Sequence, residues 1–322
     1  MVPVVAVKCE AEIDKVIRHA WAPAMLDKYD NGLAHFLSYC DEMEVPTSFR
    51  LPASEFLLCA FAASFAGSLA SSTVENKLNG VRAWHIINNV EYKGSLRLNY
   101  VMKGVANLAP DALPPRPPIT LEMLRLLYDH LDLSGPFDAA VFCAAVVAFW
   151  CQCRLGELFS TTERSFNPKL IPSVSDLAPP CTTAGSRLLR LPCTKTKRTR
   201  GESTFLSKQK GFSDPVDAVD HHLSANQLQA SDPLFSYCTA NGGLLALTKR
   251  KFMARCNQVW GSFALPRSTG HCFRIGGTTE LLLAGVPPDV VKMMGRWSSD
   301  AFLRYWRSLH RIAPLHSELL DI

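Results

Sequence analysis

The sequence lacks the features of a secreted or membrane-bound protein. Its 11 cysteines are an odd number, and no two of them form a C-x-x-C pair. Several lie in apolar runs, where cysteine packs as a small hydrophobic residue. No signal-peptide pattern is present, and no apolar run is long enough for a confident membrane span. These absences favour an intracellular protein in a reducing compartment, with no contact to a membrane.

Internal repeats and long low-complexity segments are also missing, so ordinary globular domains are expected. With 322 residues, of which 48% are hydrophobic and 20% charged, two soluble domains are the natural expectation. The net charge of +5 is small but unevenly spread. Residues 1–108 contain 10 basic and 11 acidic residues, and the remainder contains 24 and 18. Attraction to a polyanion is therefore expected mainly from the later two-thirds.

Proline is concentrated in one stretch, which predicts a domain boundary. Residues 109–118 contain five prolines, and such a stretch favours an extended spacer over a helix. Residues 1–19 form an N-terminal extension, and 20–108 are predicted to be a helical domain. Its four helices are expected at Ala22–Cys40, Pro52–Leu69, a segment opened by Ser72 with Glu75 at capping-box spacing, and Leu96–Asn107.

Residues 119–322 are predicted to form a second, mixed domain that is mostly helical. Thr120 is expected to cap its first helix, and an apolar helix covers Phe137–Phe159. Two paired strands are predicted on either side of the basic turn KTKRTRG, at Leu188–Thr194 and Glu202–Leu206. Helices return at Pro215–Gln229, at Thr248–Val259 and from Thr269 onward. The predicted fold class is thus mainly α, with a small β-sheet in an α+β second domain.

Several residues in this second domain could carry chemistry. Arg154 begins the sequence RLGE, and Glu157 is three residues away, close enough to hold it by a charge-assisted bond. Lys195 lies where the first predicted strand enters the basic turn. His271 and Arg274 are three residues apart and share one face of a predicted helix.

The last part of the chain adds two aromatic residues to this group. Trp297 follows a short predicted helix, and Tyr305 lies in a further helix that a serine begins. Each residue alone has an ordinary interpretation, since R-x-x-E is usually a helix ion pair and a lone tryptophan or tyrosine usually packs. The ordered set is less ordinary, and it comprises Arg154, Lys195, His271, Arg274, Trp297 and Tyr305.

This ordered set resembles that of the tyrosine recombinases, or phage-type integrases. The run HCFRIGGTTELLLAGVPPDVVKMMGRWSSDAFLRYWR is similar to integrase-like DNA breaking-rejoining enzymes of fungi and of Crypton transposons. The resemblance covers residues 119–310, whereas the helical first domain is similar to the family's core-binding domain in architecture only. It implies a C-shaped clamp on double-stranded DNA, four protomers during strand exchange, a nuclear location, and no cofactor or metal.

The resemblance also implies a role for each residue. Tyr305 is expected to attack the scissile phosphate and form a 3′-phosphotyrosyl link, with His271 accepting or sharing its proton and Lys195 protonating the departing 5′-hydroxyl. Tyr305 lies eight residues after Trp297, whereas better-known members have nine. Lys197 competes with Lys195 for its role, because both would share a strand face in an extended strand.

The remaining roles concern binding of the phosphate. Arg154 and Arg274 offer planar bidentate donors for its oxygens, and Trp297 offers an indole N–H. Glu157 is expected to orient Arg154. Further contacts to DNA phosphates are predicted for Arg187, Arg190, Lys197, Arg198, Arg200, Lys249, Arg250 and Lys251. For the last three, a solvated helix face is an equally good interpretation.

Other motifs have simpler explanations. The pair His221-His222 has no cysteine or carboxylate at ligand spacing, so no metal site is predicted there. Gly276-Gly277 indicates close helix packing. Two other functions remain compatible with the same residues. One is a type IB topoisomerase, which relaxes DNA without pairing two sites. The other is a domesticated, catalytically silent DNA-binding protein.

Overall fold

A computed structural model describes residues 4–111, 114, 116–195, 197–297 and 302–303 of the chain. The chain divides into two compact units, Met1–Pro114 and Pro115–Ile322. The division falls inside the proline-rich stretch 109–118. Within the described residues, no helix combines the length and hydrophobicity that crossing a membrane requires.

The first unit is built from α-helices and has one more than the sequence predicts. The additional helix lies in the N-terminal extension. The capping box predicted at Ser72 is wrong, because the helix begins one residue earlier, with Ala70 as its N-cap and no side-chain cap. The five helices of the described residues are Val4–His19 (α1), Pro23–Glu42 (α2), Glu55–Ala63 (α3), Ser71–Ile87 (α4) and Leu96–Asn107 (α5).

An aromatic cluster and a close helix crossing hold this unit together. Phe36 on α2 and Phe61 on α3 are fully buried and meet edge to face, with ring centroids 5.2 Å apart. Such pairs add stability beyond their buried area. Gly80 lets α4 approach α2, since a Cβ there would collide with the carbonyl oxygen of Tyr29. The crossing therefore depends on a residue without a side chain.

The second unit combines seven described helices with two small antiparallel sheets, which confirms the predicted fold class. The helices are Leu121–His130 (α6), Pro136–Trp150 (α7), Leu155–Leu158 (α8), Pro215–Asn226 (α9), Lys249–Gly261 (α10), His271–Leu283 (α11) and Pro288–Met294 (α12). The strands are Leu177–Pro180 (β1), Arg187–Leu191 (β2), Glu202–Leu206 (β3), Ser236–Cys238 (β4) and Leu244–Ala246 (β5). The first three strands form one sheet in sequence order, and the last two form a hairpin.

Several predicted boundaries in this unit need correction. β2 and β3 pair as expected, with Leu189 opposite Thr204. However, β2 ends at Leu191, because Pro192 has no N–H to donate to the ladder. The long helix predicted from Phe137 to Phe159 ends at Trp150. There the backbone turns through a left-handed conformation at residue 152, and a second short helix starts at Leu155.

Helix α7 is the centre of the second unit. Every residue from Asp138 to Trp150 is buried, so the helix is enclosed on all sides. Helix α11 packs directly on it, as Gly276-Gly277 predicts. A Cβ at Gly276 would collide with the carbonyl oxygen of Ile119, and one at Gly277 with that of Phe149. This contact brings the start of α11 to the C-terminal end of α7.

A buried histidine makes the stability of this unit sensitive to acid. His222 on α9 has no exposed surface; its Nε2 lies 2.9 Å from the carbonyl oxygen of Leu234, and its Nδ1 lies 3.0 Å from Nδ2 of Asn226. A neutral ring that donates from Nε2 and accepts at Nδ1 satisfies both contacts. Burial lowers the pKa of His222 to about 4.

We therefore expect acid to destabilise the protein through His222. The unfolded chain binds the proton more tightly than the folded protein does. The contribution of neutral His222 to the free energy of unfolding is therefore fully present above about pH 6.5 and is lost as the pH falls towards 4. The full shift corresponds to about 3 kcal/mol in the free energy of unfolding. Urea unfolding across this range should show a shallower pH dependence in His222→Gln than in the wild type. An unchanged dependence would contradict this assignment.

Candidate active site

Arg154 lies where the chain leaves α7 and begins α8. Gln152 takes a left-handed conformation (φ 48°) that ends the first helix, and Arg154 is the N-cap residue of the second. Its backbone N–H donates to one carboxylate oxygen of Glu157 at 3.0 Å, and its guanidinium donates to the other at 2.8 Å. The Arg154 side chain remains 26% exposed, whereas Glu157 is buried. The carboxylate thus fixes an arginine that still reaches solvent.

Arg274 lies one turn into α11 and has no exposed surface. Its two terminal nitrogens donate to the carbonyl oxygens of Gln152 and Gly295, each at 2.5 Å. Its guanidinium carbon lies 3.8 Å from the centroid of the Trp297 ring, in a cation–π contact. Arg274 therefore joins the end of α7 to the turn that follows α12.

That turn, Gly295–Trp297, is held at each of its three residues. Arg274 donates a hydrogen bond to the carbonyl oxygen of Gly295 and lies over the ring of Trp297. The middle residue, Arg296, has a left-handed backbone (φ 56°) and donates to Oε2 of Glu157 at 2.6 Å. A Cβ at Gly295 would collide with the indole nitrogen of Trp297, so glycine is required for this packing.

Three guanidinium groups are therefore gathered around one buried carboxylate. Arg154 and Arg296 both bind Glu157, and their charges act on Arg274 nearby. Burial, together with these two cations, lowers the pKa of Arg274 to about 9, so it remains a cation at neutral pH. A second carboxylate, Glu202, lies at the edge of this group, 4.0 Å from Arg296. This excess of positive charge favours binding of an anion.

Lys195 lies in the turn after β2 and is exposed. It lines the same cavity as Arg154, whereas Lys197 does not contribute to the lining. Lys197 instead lies 3.7 Å from Glu202, with its side chain 61% exposed, and Arg200 is exposed in the same turn. Of the two lysines that the sequence leaves open, Lys195 thus shares a cavity with Arg154, whereas Lys197 pairs with the carboxylate that also lies near Arg296.

Of the other two predicted residues, the structure describes His271 and not Tyr305. His271 is the first residue of α11, half-buried and one turn before Arg274. Tyr305 lies outside the residues that the structure describes, as do Ser298 and Ser299, which were expected to begin its helix. The described residues therefore bring together Arg154, Glu157, Arg274 and Trp297.

Two cavities meet beside this group and share the loop Gly156–Arg164 as their common wall. The Arg154 cavity has a volume of about 620 Å³, and the α10 cavity, beside the start of α10, about 1140 Å³. We call their joint surface the basic groove. Two carboxylates line it, Glu157 and Glu163, against eight cations: Arg154, Arg164, Lys195, Arg198, Lys249, Arg250, Lys251 and Arg267.

The predicted DNA-contact residues of the β2–β3 region do not all line the basic groove. Arg198 lines the basic groove. Arg187 instead forms an ion pair with Asp220 at 3.2 Å, and Arg190 forms one with Asp176 at 3.3 Å. Neither of these two arginines lines the basic groove.

Helix α10 presents its first turn to the basic groove. Thr248 caps it, accepting from the N–H of Lys251 at 3.3 Å. Lys249 and Arg250 are exposed, whereas the Lys251 ammonium lies 2.6 Å from a carboxylate oxygen of Glu163. Cations in the first turn of a helix are unfavourable to its dipole, so an anionic partner would stabilise this arrangement.

Three arginines of the site are absent from the sequence predictions. Arg164 and Arg267 line the basic groove, and Arg296 binds Glu157. The first two lie in loops with no periodic pattern, so the sequence offers no signal for them. Arg296 is adjacent to Trp297 in the sequence, and that proximity was the available clue.

Comparisons with known proteins agree with this arrangement at the level of the fold. The XerH site-specific recombinase, solved with palindromic difH substrate in a post-cleavage complex, superposes with a TM-score of 0.60. The two chains are 14% identical, and the match covers 96% of this chain and 84% of XerH. The chain has the tyrosine recombinase fold. No protein-family model matches it, and no curated protein matches its sequence.

Two further structures of this fold match nearly as well. The Tn1549 transposon integrase, solved as residues 82–397 in complex with transposon right end DNA, gives a TM-score of 0.54 at 14% identity, covering 92% of this chain and 99% of the solved chain. XerH in a pre-cleavage complex with difH gives 0.55 at 15% identity, covering 90% and 78%. The similarity therefore extends over most of each protein.

Proposed function

We propose that this chain is a tyrosine recombinase, which cuts and rejoins DNA at specific sites through a covalent 3′-phosphotyrosine on Tyr305. The observation that carries this proposal is the meeting of Arg154, Arg274 and Trp297 at the edge of a basic groove. These residues are far apart in the sequence, and the resemblance assigns each of them to phosphate binding. The shared fold with recombinases crystallised on DNA supports the same conclusion.

The proposed reaction exchanges one phosphodiester for another. The phenol oxygen of Tyr305 attacks the scissile phosphorus, and its proton passes to His271. An O–P bond to tyrosine forms as the P–O5′ bond breaks, and Lys195 supplies a proton to the departing 5′-oxygen. A second 5′-hydroxyl then reverses these steps on the other duplex. Arginine charge stabilises the negative charge that builds on the phosphate oxygens, so no metal ion is needed for that task.

Arg154 and Arg274 would engage this phosphate differently. Arg154 is partly exposed in the wall of the basic groove and can bind it directly. Arg274 has no exposed surface beneath the Trp297 ring. A phosphate therefore reaches Arg274 if the ring shifts, which would also bring the indole N–H towards the phosphate. We infer that DNA binding displaces the Trp297 side chain, while Arg296 keeps the turn bound to Glu157.

The larger assembly follows from the same proposal. The partner is double-stranded DNA, held by the helical domain and by the basic groove of the catalytic domain. Strand exchange requires four protomers on two DNA sites. The run of residues 271–307 resembles fungal and Crypton-like integrases, so we propose a transposable-element origin and action in the nucleus. The predicted domains, 20–108 and 119–322, correspond to the core-binding and catalytic parts.

Covalent trapping tests this proposal. The purified protein is incubated with nicked suicide substrates from the flanks of its own gene, in EDTA, and run on denaturing gels. A protein–DNA band in EDTA is expected. No band on these substrates or on sites selected from randomised DNA, with salt-sensitive binding retained, would instead favour the catalytically silent DNA-binding protein. Relaxation of supercoiled DNA that lacks a second site would favour the type IB topoisomerase.

The basic groove makes a prediction about salt. Each cation that neutralises a phosphate contributes a slope of about −0.9 to the dependence of log affinity on log salt concentration. Removing Lys249 and Arg250 together should therefore reduce the slope by about 2 and weaken binding on every sequence. Fluorescence anisotropy between low and physiological salt measures this. Lys210→Ala, an exposed lysine outside both cavities, is the matched control; an equal loss in that variant would refute the assignment.

A further inference from the structure

Arg296 is buried in a place where arginine has a high energetic cost. Its side chain is 6% exposed, its backbone is left-handed (φ 56°), and its Nε has no hydrogen-bond partner among the residues that the structure describes. Desolvating a cation costs several kcal/mol, and an apolar residue of similar size is often as stable or more stable. Stability alone therefore does not explain why an arginine stands here.

The contacts of Arg296 indicate another role. It donates to Oε2 of Glu157 at 2.6 Å, while Arg154 binds the same carboxylate through both its guanidinium and its backbone N–H. Both carboxylate oxygens of Glu157 thus already accept a hydrogen bond from Arg154, three residues away in the sequence. The additional bond connects it to a segment 139 residues away. That segment is the Gly295–Trp297 turn, and the chain reaches Tyr305 nine residues after Arg296.

We infer that Arg296 is a positioning residue, which acts through Glu157 to fix the Gly295–Trp297 turn, from which the chain continues to Tyr305, relative to the phosphate-binding Arg154. This inference rests on the proposed function. Arg296 does not line either cavity of the basic groove, so it is not placed to contact the DNA backbone. It acts instead on the geometry between two groups that must meet at one phosphorus atom.

The expected consequence is a loss of rate without a loss of affinity. Arg296→Met keeps the length of the side chain and removes the bond to Glu157. Covalent complex formation, measured in a single turnover at saturating protein, should be about 100-fold slower, since small misplacements of reacting groups have effects of this size. The Kd for DNA should stay within about threefold of the wild type. Arg125→Met, which breaks an exposed pair with Asp129, is the matched control and should cleave normally.

A double-mutant cycle separates positioning from general packing. If Arg296 acts through Glu157, Arg296→Met should slow cleavage much less in a Glu157→Gln background than in the wild type. Equal effects in both backgrounds would overturn the inference, as would a rate within threefold of the wild type for Arg296→Met. If that variant does not fold, Arg296→Lys decides, with a rate at least tenfold lower expected and a wild-type rate overturning the inference. Absence of a covalent complex in the wild type overturns the proposed function itself, and this inference with it.

Discussion

Replacing Tyr305 with phenylalanine is expected to abolish the covalent protein–DNA complex. The substitution removes one oxygen atom, the proposed nucleophile, and retains the aromatic ring. Loss of a nucleophile typically lowers the rate by 10⁴-fold or more, so we expect a reduction of at least about 10⁴-fold. DNA affinity should be retained, because the cations of the basic groove are unchanged. Denaturing gels after incubation with suicide substrates, read beside a binding assay, measure both quantities.

The control for Tyr305→Phe is the same substitution at another tyrosine of the second unit. Tyr128 on α6 lines neither cavity, so Tyr128→Phe should form the covalent complex at the wild-type rate. A covalent band that persists in Tyr305→Phe would mean that another residue is the nucleophile. Mapping the DNA-linked peptide would then identify it.

The sequence predicts much of the fold because its patterns have local physical causes. The basic turn between β2 and β3 lies between two predicted strands, and these pair in the structure. Thr120 caps its helix through its own hydroxyl group, as predicted. The Gly276-Gly277 pair predicts the close packing of α11, which the structure contains. Capping, turn formation and close contact are each determined within a few residues.

Features that depend on tertiary contacts could not be predicted in this way. The apolar run after Asp138 continues through Trp150 and Cys151, so its composition does not mark the end of the helix at Trp150. The left-handed turn at Gln152 is stabilised by Arg274, whose partner carbonyl lies 122 residues away in the sequence. Arg296 was missed for the same reason, since its burial depends on Glu157. Residues held by distant partners carry no local pattern.

The candidate site also combines features that the sequence predicts with features that depend on tertiary contacts. The types and order of its residues can be recognised in the sequence, but the exposure of each cannot. The sequence treats Arg154 and Arg274 as an equivalent pair of phosphate ligands. In the structure, Arg154 is partly exposed, whereas Arg274 is buried and makes two hydrogen bonds to main-chain carbonyls. Because Arg274 is the buried member of the pair, we expect substitutions there to affect both the stability of the fold and the proposed chemistry.

Arg274→Lys is accordingly expected to slow DNA cleavage by about 1000-fold, as for the loss of a donor that stabilises a developing oxyanion. A lysine retains the charge, but a single ammonium cannot reproduce the planar fork that binds the carbonyl oxygens of Gln152 and Gly295. One buried carbonyl is left without a partner, which should lower the free energy of unfolding by about 1–3 kcal/mol. Single-turnover trapping and urea unfolding measure the two effects. Arg125→Lys, at an exposed position, should change neither.

The two effects of Arg274→Lys can be separated by temperature. A loss caused only by partial unfolding should disappear when cleavage is measured well below the unfolding midpoint of the variant, where nearly all molecules are folded. A loss of phosphate stabilisation should persist there, because the missing donors are missing in the folded protein as well. Recovery of the wild-type rate in the cold would therefore limit Arg274 to holding the Gly295–Trp297 turn. A deficit that persists at every temperature would show that Arg274 acts within the folded protein, as the proposed phosphate contact requires.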